Sequence, residues 1–140
     1  MKIRFKKLNS HLPPPGYGHP GDAGLDLYAA EVVEIEPGAR AQVPTGVALE
    51  IPVGYVGLIW DKSGLSHKYG LKTLGGVIDA TYRGEIKIGL VNLSDRPLTF
   101  QPGDKVAQLL IQPVVTAELE EVVELEGTDR GEGGFGSTGR

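Results

Sequence analysis

The chain has 140 residues, 40% hydrophobic and 23% charged, which is long enough for one domain. A formal net charge of −4 excludes a duplex-binding protein that works by counterion release, so no nucleic acid polymer is expected as a partner. Zero cysteines exclude a disulfide framework and thiolate metal sites, and the three histidines, His11, His19 and His67, lack the spacing of a histidine-ligated zinc site. The start, MKIRFKKL, has cations but no apolar stretch behind it, and no window approaches the ~20 apolar residues of a membrane span. The expectation is a soluble, cytoplasmic protein with no membrane partner.

Taken in chain order, short runs rich in Val, Ile and Leu predict strands over Ile3 to Leu8, Leu25 to Ala29, Val32 to Ile35, Gln42 to Pro44, Val47 to Ile51 and Tyr55 to Trp60. Ser63 to Gly70 then predicts the one short helix, with Ser63 capping its start and Gly70 ending it. Strands resume over Glu85 to Leu93, Leu98 to Phe100, Lys105 to Ile111 and Val114 to Leu125. Turns at Pro37-Gly38, Pro52-Val53-Gly54, Asp95-Arg96-Pro97 and Pro102-Gly103 punctuate them, because proline presets φ and glycine tolerates positive φ. Strands at this spacing predict an all-β, jelly-roll-like sandwich or barrel. The domain is expected to span residues 1–126. Residues 127–140, ending in the glycine-rich RGEGGFGSTGR, hold too few apolar groups for a core and read as a flexible arm.

Several residues stand out from what a β-sandwich requires. Asp26, between Leu25 and Leu27, alternates away from the core face, where a carboxylate suits a hydrated cation, a structural hydrogen bond or a turn cap. Ser63 and Gly64 open the helix, where unpaired N–H groups favour an anion, and Lys62 adds positive charge. Gln108 interrupts an apolar strand with an amide able to donate to a phosphate oxygen, or simply to sit satisfied on an edge strand. Asp104 and Lys105 read as turn and surface residues.

Five segments in order, Ala23-Gly-Leu-Asp-Leu27, Lys62-Ser-Gly-Leu65, Gly76-Val-Ile-Asp-Ala-Thr-Tyr-Arg-Gly84, Gly103-Asp-Lys-Val-Ala-Gln-Leu109 and Arg130-Gly-Glu-Gly-Gly-Phe-Gly-Ser-Thr-Gly139, resemble the five motifs of the trimeric dUTPases. The resemblance spans residues 23–139. It implies hydrolysis of dUTP to dUMP and pyrophosphate in a homotrimer with shared active sites, one subunit giving a hairpin, a neighbour the phosphate contacts and the third its tail. It implies Mg²⁺ as cofactor, held by Asp26 through water, and Asp79 as the general base that activates a water for in-line attack on the α-phosphorus. Residues Thr73 to Lys87 would form a β-hairpin reading the uracil edge, with Val77, Ile78 and Lys87 at contact positions, and Tyr82 would cover the deoxyribose where a 2′-hydroxyl would clash.

In the tail, the resemblance places Phe135 on the uracil ring and Arg130 on the γ-phosphate, with Ser137 and Thr138 as hydroxyl donors and glycines such as Gly136 allowing close backbone approach. The chain departs from the family pattern at Lys62, where arginine is usual, at Thr81, where a second acid is frequent, and at Thr73, an asparagine in some members. Lysine supplies charge without the planar fork. Two other readings compete. A dCTP deaminase of the same fold would carry a glutamate where this chain has Gly89, and a nucleotide-binding trimer without turnover would lack the base or the tail.

Overall fold

The structure, a computed structural model, describes residues 1–134. In chain order its elements are β1 (Arg4–Lys7), β2 (Gly16–Tyr17), β3 (Leu25–Tyr28), β4 (Val33–Ile35), β5 (Arg40–Pro44), β6 (Val47–Glu50), β7 (Tyr55–Trp60), α1 (Ser63–Tyr69), β8 (Leu71–Leu74), β9 (Val77–Ile78), β10 (Lys87–Asn92), β11 (Leu98–Phe100) and β12 (Lys105–Pro113). The predicted all-β, jelly-roll-like architecture is the one observed. A five-stranded sheet runs β2-β3-β12-β7-β9, a three-stranded one β5-β10-β8, and two-stranded pieces join β1 to β6 and β11 to β4. Every pairing is antiparallel.

Alternation builds the core. In β10 the residues Ile88 and Leu90 are buried while Lys87 faces out, and in β6 Val47 and Leu49 are the buried pair. Together with Leu27, Ile35, Val43, Ile51, Ile59, Ile86, Phe100, Val106 and Leu109 they form one cluster between the sheets. Asn92 lies in this interior with no exposed surface. Its Nδ2 donates to the carbonyls of Ile35 (2.8 Å) and Arg96 (2.7 Å), and its Oδ1 accepts from the Ser94 N–H (2.9 Å) and hydroxyl (2.7 Å). All four bonding positions of the amide are used, which avoids the ~1–3 kcal/mol that each orphaned buried group would cost.

Three expectations need correction. Val114 to Leu125 forms no strand: β12 ends at Pro113, Val114 donates its N–H to the Gly54 carbonyl (2.9 Å), and Leu119, Val122, Val123 and Leu125 are exposed. An alternating pattern becomes a strand only beside a partner, and within the described residues none lies next to this segment. Ser63 is the first helical residue rather than the cap; Lys62 holds the N-cap position without a side-chain capping bond, since an ammonium has no acceptor to offer the first-turn N–H groups. The helix ends as expected at Gly70, in the left-handed region at φ 66°, where its N–H donates to the Leu65 and Ser66 carbonyls. Finally, Thr73 to Lys87 is not a continuous hairpin. β8 does pair with β10, Leu74 opposite Gly89, but the chain between them crosses to the other sheet, where β9 pairs with β7. Gly75 (φ 71°) and Gly76 (φ 117°) make that crossing, and Gly76 accepts the Ile59 N–H at 2.8 Å.

Candidate active site

The site is assembled by strand register. β12 is the centre of the five-stranded sheet, and Gln108 lies opposite Asp26 of β3 on one side and Trp60 of β7 on the other. Cross-strand partners share a face, so three residues distant in sequence form one row above the sheet, and a slip of one residue would turn Gln108 to the other face. Gln108 is therefore on a central strand rather than an edge. The chain leaving Trp60 continues through Asp61 and Lys62 into α1, so the helix begins beside this row.

A fold irregularity adds a residue that alternation hides. Lys105 and Gln108 are three apart, which in a regular strand puts them on opposite faces. The register of β12 against β3 shifts between Lys105 and Ala107, a β-bulge, and Val106 and Ala107 are both buried. Lys105 consequently points to the Gln108 face and its Nζ lies 2.6 Å from Asp26 Oδ2. Lys62 Nζ donates to the other oxygen, Oδ1. Lys105, read from the sequence as a surface residue, thus belongs to the site.

Asp26 does turn off the core face, yet it is buried, because two ammonium groups cover it. Burial alone would raise the pKa of its carboxyl, but hydrogen bonds from Lys105 and Lys62 outweigh it and hold the carboxyl below its ordinary value. The same bond to Asp26 raises the pKa of Lys105. A carboxyl with a depressed folded pKa contributes stability that is present above the unfolded value, about 3.9, and is lost as pH falls through the folded one. Replacing Asp26 by Asn is expected to lower unfolding free energy at neutral pH, because two ammoniums then face each other uncompensated, and the gap to wild type should close in acid. Urea titrations of both proteins from neutral pH down to about pH 2 test this; a gap that persists unchanged in acid removes the ionic explanation.

Two clefts meet at these side chains. One, of about 450 Å³, is lined among others by Asp22, Gly24, Asp26, Trp60, Lys62, Lys105 and Gln108. The other, of about 370 Å³, is lined by Lys62, Ser63, Gly64, Lys68, Lys105 and Gln108, with Leu65 and Tyr69. Lys62, Lys105 and Gln108 line both, so the sequence-selected Asp26, Lys62, Ser63, Gly64 and Gln108 do come together. The N–H groups of the first helical turn precede the first intrahelical bond, from Ser66 N–H to the Lys62 carbonyl (2.9 Å), and remain available to an anion. Gly24 has no room for a side chain: a Cβ would lie 2.3 Å from Gln108 Oε1.

A third cleft, of about 220 Å³, lies between the end of β7 and the β8–β9 crossing, lined by Leu58, Ile59, Trp60, Lys72, Thr73, Gly75, Gly76 and Val77. Thr73 and Val77 line it, Ile78 packs half-buried against the core, and Lys87 is exposed at the start of β10. Thr73 is also held by Asp61, whose Oδ1 accepts its N–H at 2.7 Å. Nothing in the local sequence marked Asp61 or Trp60; their roles come from what β7 lies next to.

Asp79 and Tyr82 occupy the turn that follows β9, closed by a bond from Tyr82 N–H to the Asp79 carbonyl (3.1 Å). Asp79 is exposed and its carboxylate has no partner among the described residues. The Tyr82 hydroxyl donates to the Glu85 carbonyl at 2.9 Å, and the ring lies over Gly84, where a Cβ would be 2.4 Å from the phenolic oxygen. Neither Asp79 nor Tyr82 lines the three clefts. Arg130 lies in an exposed turn, its Nε donating to the Gly133 carbonyl (2.6 Å), and it too is apart from them. Phe135, Gly136, Ser137 and Thr138 lie outside the described residues.

The match to known proteins covers both halves of this arrangement. The dUTPase family model matches residues 9–139. This chain belongs to the dUTPase family. It is 51% identical to the deoxyuridine 5'-triphosphate nucleotidohydrolase of Mycolicibacterium gilvum over 95% of this chain and 92% of that protein. To the enzyme of the same name from Syntrophotalea carbinolica it is 50% identical, over 99% of this chain and 97% of the relative. Among solved structures, the Staphylococcus bacteriophage 80alpha dUTPase with dUPNHPP superposes with a TM-score of 0.92 at 35% identity, covering 99% of each chain. A variant dUTPase from phage phi11 of S. aureus, solved for the coordination of a structural Mg(II) ion, gives 0.84 at 33% identity, over 91% of this chain and all of that one.

The described residues do not build a metal cage of their own. No group of three or more His, Cys, Asp or Glu side chains is placed to hold an ion among them. In the larger cleft Asp26 is engaged by two lysines, Asp22 accepts the His19 N–H (2.8 Å), and Asp61 accepts from Thr73 and Lys72. Such a donor set fits an ion that keeps its waters and takes phosphate oxygens as ligands, with Asp26 as an outer partner.

No helix of the described residues is long and apolar enough to cross a membrane.

Proposed function

We infer that this chain hydrolyses dUTP to dUMP and pyrophosphate. The observation that carries the reading is the row Asp26, Gln108 and Trp60 with Lys62 and Lys105 above it, opening on an adjoining cleft whose charged lining is Lys62, Lys68 and Lys105: a local cationic site on an acidic protein, built from three family motifs by strand register. Lys62, Lys105, the Gln108 amide and the N–H groups of Ser63 and Gly64 bind and orient the phosphates. As they do so, the ammoniums exchange Asp26 for phosphate oxygens, and the freed Asp26 carboxylate is the residue that would hold a hydrated cation through water. Mg²⁺, when bound with the nucleotide, supplies charge neutralisation across the phosphate oxygens.

Asp79 accepts a proton from the attacking water as its oxygen bonds to the α-phosphorus. The bond from that phosphorus to the oxygen bridging to the β-phosphate breaks, and pyrophosphate leaves. Val77, Ile78, Thr73 and Lys87 place the β8–β10 excursion against uracil, with the third cleft as the base slot. Phe135 covers the ring, and Arg130, Gly136, Ser137 and Thr138 close over the phosphates from the arm, residues 127–140, on the β domain of residues 1–126. That Asp79 lines none of the clefts formed by Lys62, Lys105 and Gln108 supports a homotrimer whose active sites draw on different subunits. The cytoplasm, where nucleotides are made and used, suits such an enzyme.

The deaminase alternative fits less well. Its glutamate would stand at Gly89, where a Cβ would be 2.9 Å from the Leu74 carbonyl oxygen across the β8–β10 pair. The test is product analysis with dUTP, dCTP, UTP and dTTP in parallel, with Mg²⁺ and with chelator. Metal-dependent dUMP and pyrophosphate from dUTP alone is the expected result; ammonia from dCTP, or no product from any of them, would overturn the reading.

Sugar selectivity has its own test at Gly84. Alanine there is backbone-compatible but drives Tyr82 off its seat, since the Cβ would overlap the phenolic oxygen and Cζ (2.4 and 2.6 Å). Gly84→Ala is expected to cut the preference for dUTP over UTP, as a ratio of kcat/KM, by roughly tenfold, the size of a lost steric exclusion. A ratio equal to wild type would mean that the ring's seat does not set the preference.

A further inference from the structure

We propose that Asp61 is a positioning residue for dUTP hydrolysis, locking the phosphate-binding turn to the stem of the base-reading excursion and to Gln108. The inference rests on the function proposed above. Asp61 sits between Trp60, which ends β7, and Lys62, which opens α1. Its Oδ1 accepts the Thr73 N–H at 2.7 Å and its Oδ2 accepts Lys72 Nζ at 2.7 Å, both from β8. Its own carbonyl accepts Gln108 Nε2 at 2.8 Å, from β12. One residue therefore joins the turn that carries Lys62, Ser63 and Gly64, the strand that carries Thr73, and the amide that reaches both phosphate clefts.

The chemistry of the contacts suits a fixed latch. The Asp61 side chain is only 21% exposed, and its bond to the Thr73 N–H is partly buried, while the bond to Lys72 lies at the exposed end. Burial would raise the pKa of its carboxyl, but the bonds from Lys72 and Thr73 prevail and hold it below its ordinary value. A backbone N–H as partner fixes the main chain of β8 itself, which a side-chain contact would not. Because Trp60, the residue before Asp61, lines both the base slot and the larger of the two phosphate clefts, a shift of the Asp61 turn moves these two together or apart. Small misplacements of reacting groups are costly: about 1 Å is enough for large losses of rate.

The experiment measures kcat and KM for dUTP, well below each protein's unfolding temperature, in the full-length chain and four variants. Asp61→Ala removes both bonds to β8 and is expected to lower kcat/KM roughly tenfold or more. Asp61→Asn keeps an Oδ1 that accepts the Thr73 N–H and should stay within about threefold of wild type. Lys72→Glu, at the exposed end of the pair, sets like charges against each other, pushes Asp61 away from Thr73 and should also lower kcat/KM. Combining Lys72→Glu with Asp61→Asn gives the introduced carboxylate an amide N–H to accept and should restore most of the loss.

Assaying each variant well below its unfolding temperature separates positioning from lost stability, and the rescue ties the loss to the contact between residues 61 and 72, which keeps the test valid if Asp61→Ala does not fold. A folded Asp61→Ala protein with wild-type kcat and KM would overturn the proposal, as would a double variant no better than Lys72→Glu alone. Absence of dUMP formation by the wild-type chain would instead overturn the function proposed above.

Discussion

Replacing Asp79 by Asn is expected to leave dUTP binding nearly intact while lowering kcat by about 10²–10⁴-fold, the usual worth of a positioned general base. The structure makes the substitution a clean one. Asp79 is exposed in the turn after β9, the turn is closed by its carbonyl rather than its carboxylate, and that carboxylate has no partner among the described residues. The amide matches it in size, so neither the turn nor β9 need move. What is lost is the ability to take a proton from water. Affinity measured with a non-hydrolysable imido analogue, beside steady-state turnover of dUTP, separates the two effects. Unchanged turnover would remove Asp79 as the base.

Deleting residues 131–140 is the second large effect: turnover should fall about a hundredfold or more, as expected when a closing segment that orients substrate is removed. Folding should survive. Among the described residues Gly131 donates to the carbonyl and hydroxyl of Thr128 and Gly133 to the Arg130 carbonyl, and none beyond Ile111 belongs to or packs against the core cluster. Thermal unfolding and sedimentation of the truncated chain check that half of the expectation. A truncated chain that unfolds would make the segment structural, and one that turns over dUTP at the wild-type rate would leave the arm without a catalytic role.

In the segment after β12, Val115, Leu119, Val123 and Leu125 recur at odd positions and are exposed to solvent, with no strand beside them among the described residues. This is the physical reason that sequence alternation predicted a strand there and the single chain did not form one. Propensity and pattern are properties of a segment, whereas a strand is a property of a pair.

Much was legible before the fold was known. The alternation of β3, β6 and β10 follows directly from apolar residues at every second position, and the αL end of α1 follows from Gly70, the residue that pays least for positive φ. Asp26, Lys62, Ser63, Gly64 and Gln108 could be selected because each is a polar or permissive residue where a plain sandwich asks for none. Their meeting could not be read, since it depends on the register that sets Gln108 opposite both Asp26 and Trp60. Lys105 was hidden for a sharper reason: strand period assigns it to the wrong face, and only the bulge before Ala107 reverses that. Asp61 was hidden because its partners, Thr73, Lys72 and Gln108, are chosen by the packing of β8 and β12 around the end of β7. Local chemistry is written residue by residue, and so the sequence by itself determined the strand class, the helix end and the types of group available to a nucleotide. Which of those groups face one another is set by long-range pairing, and that only the tertiary structure decided.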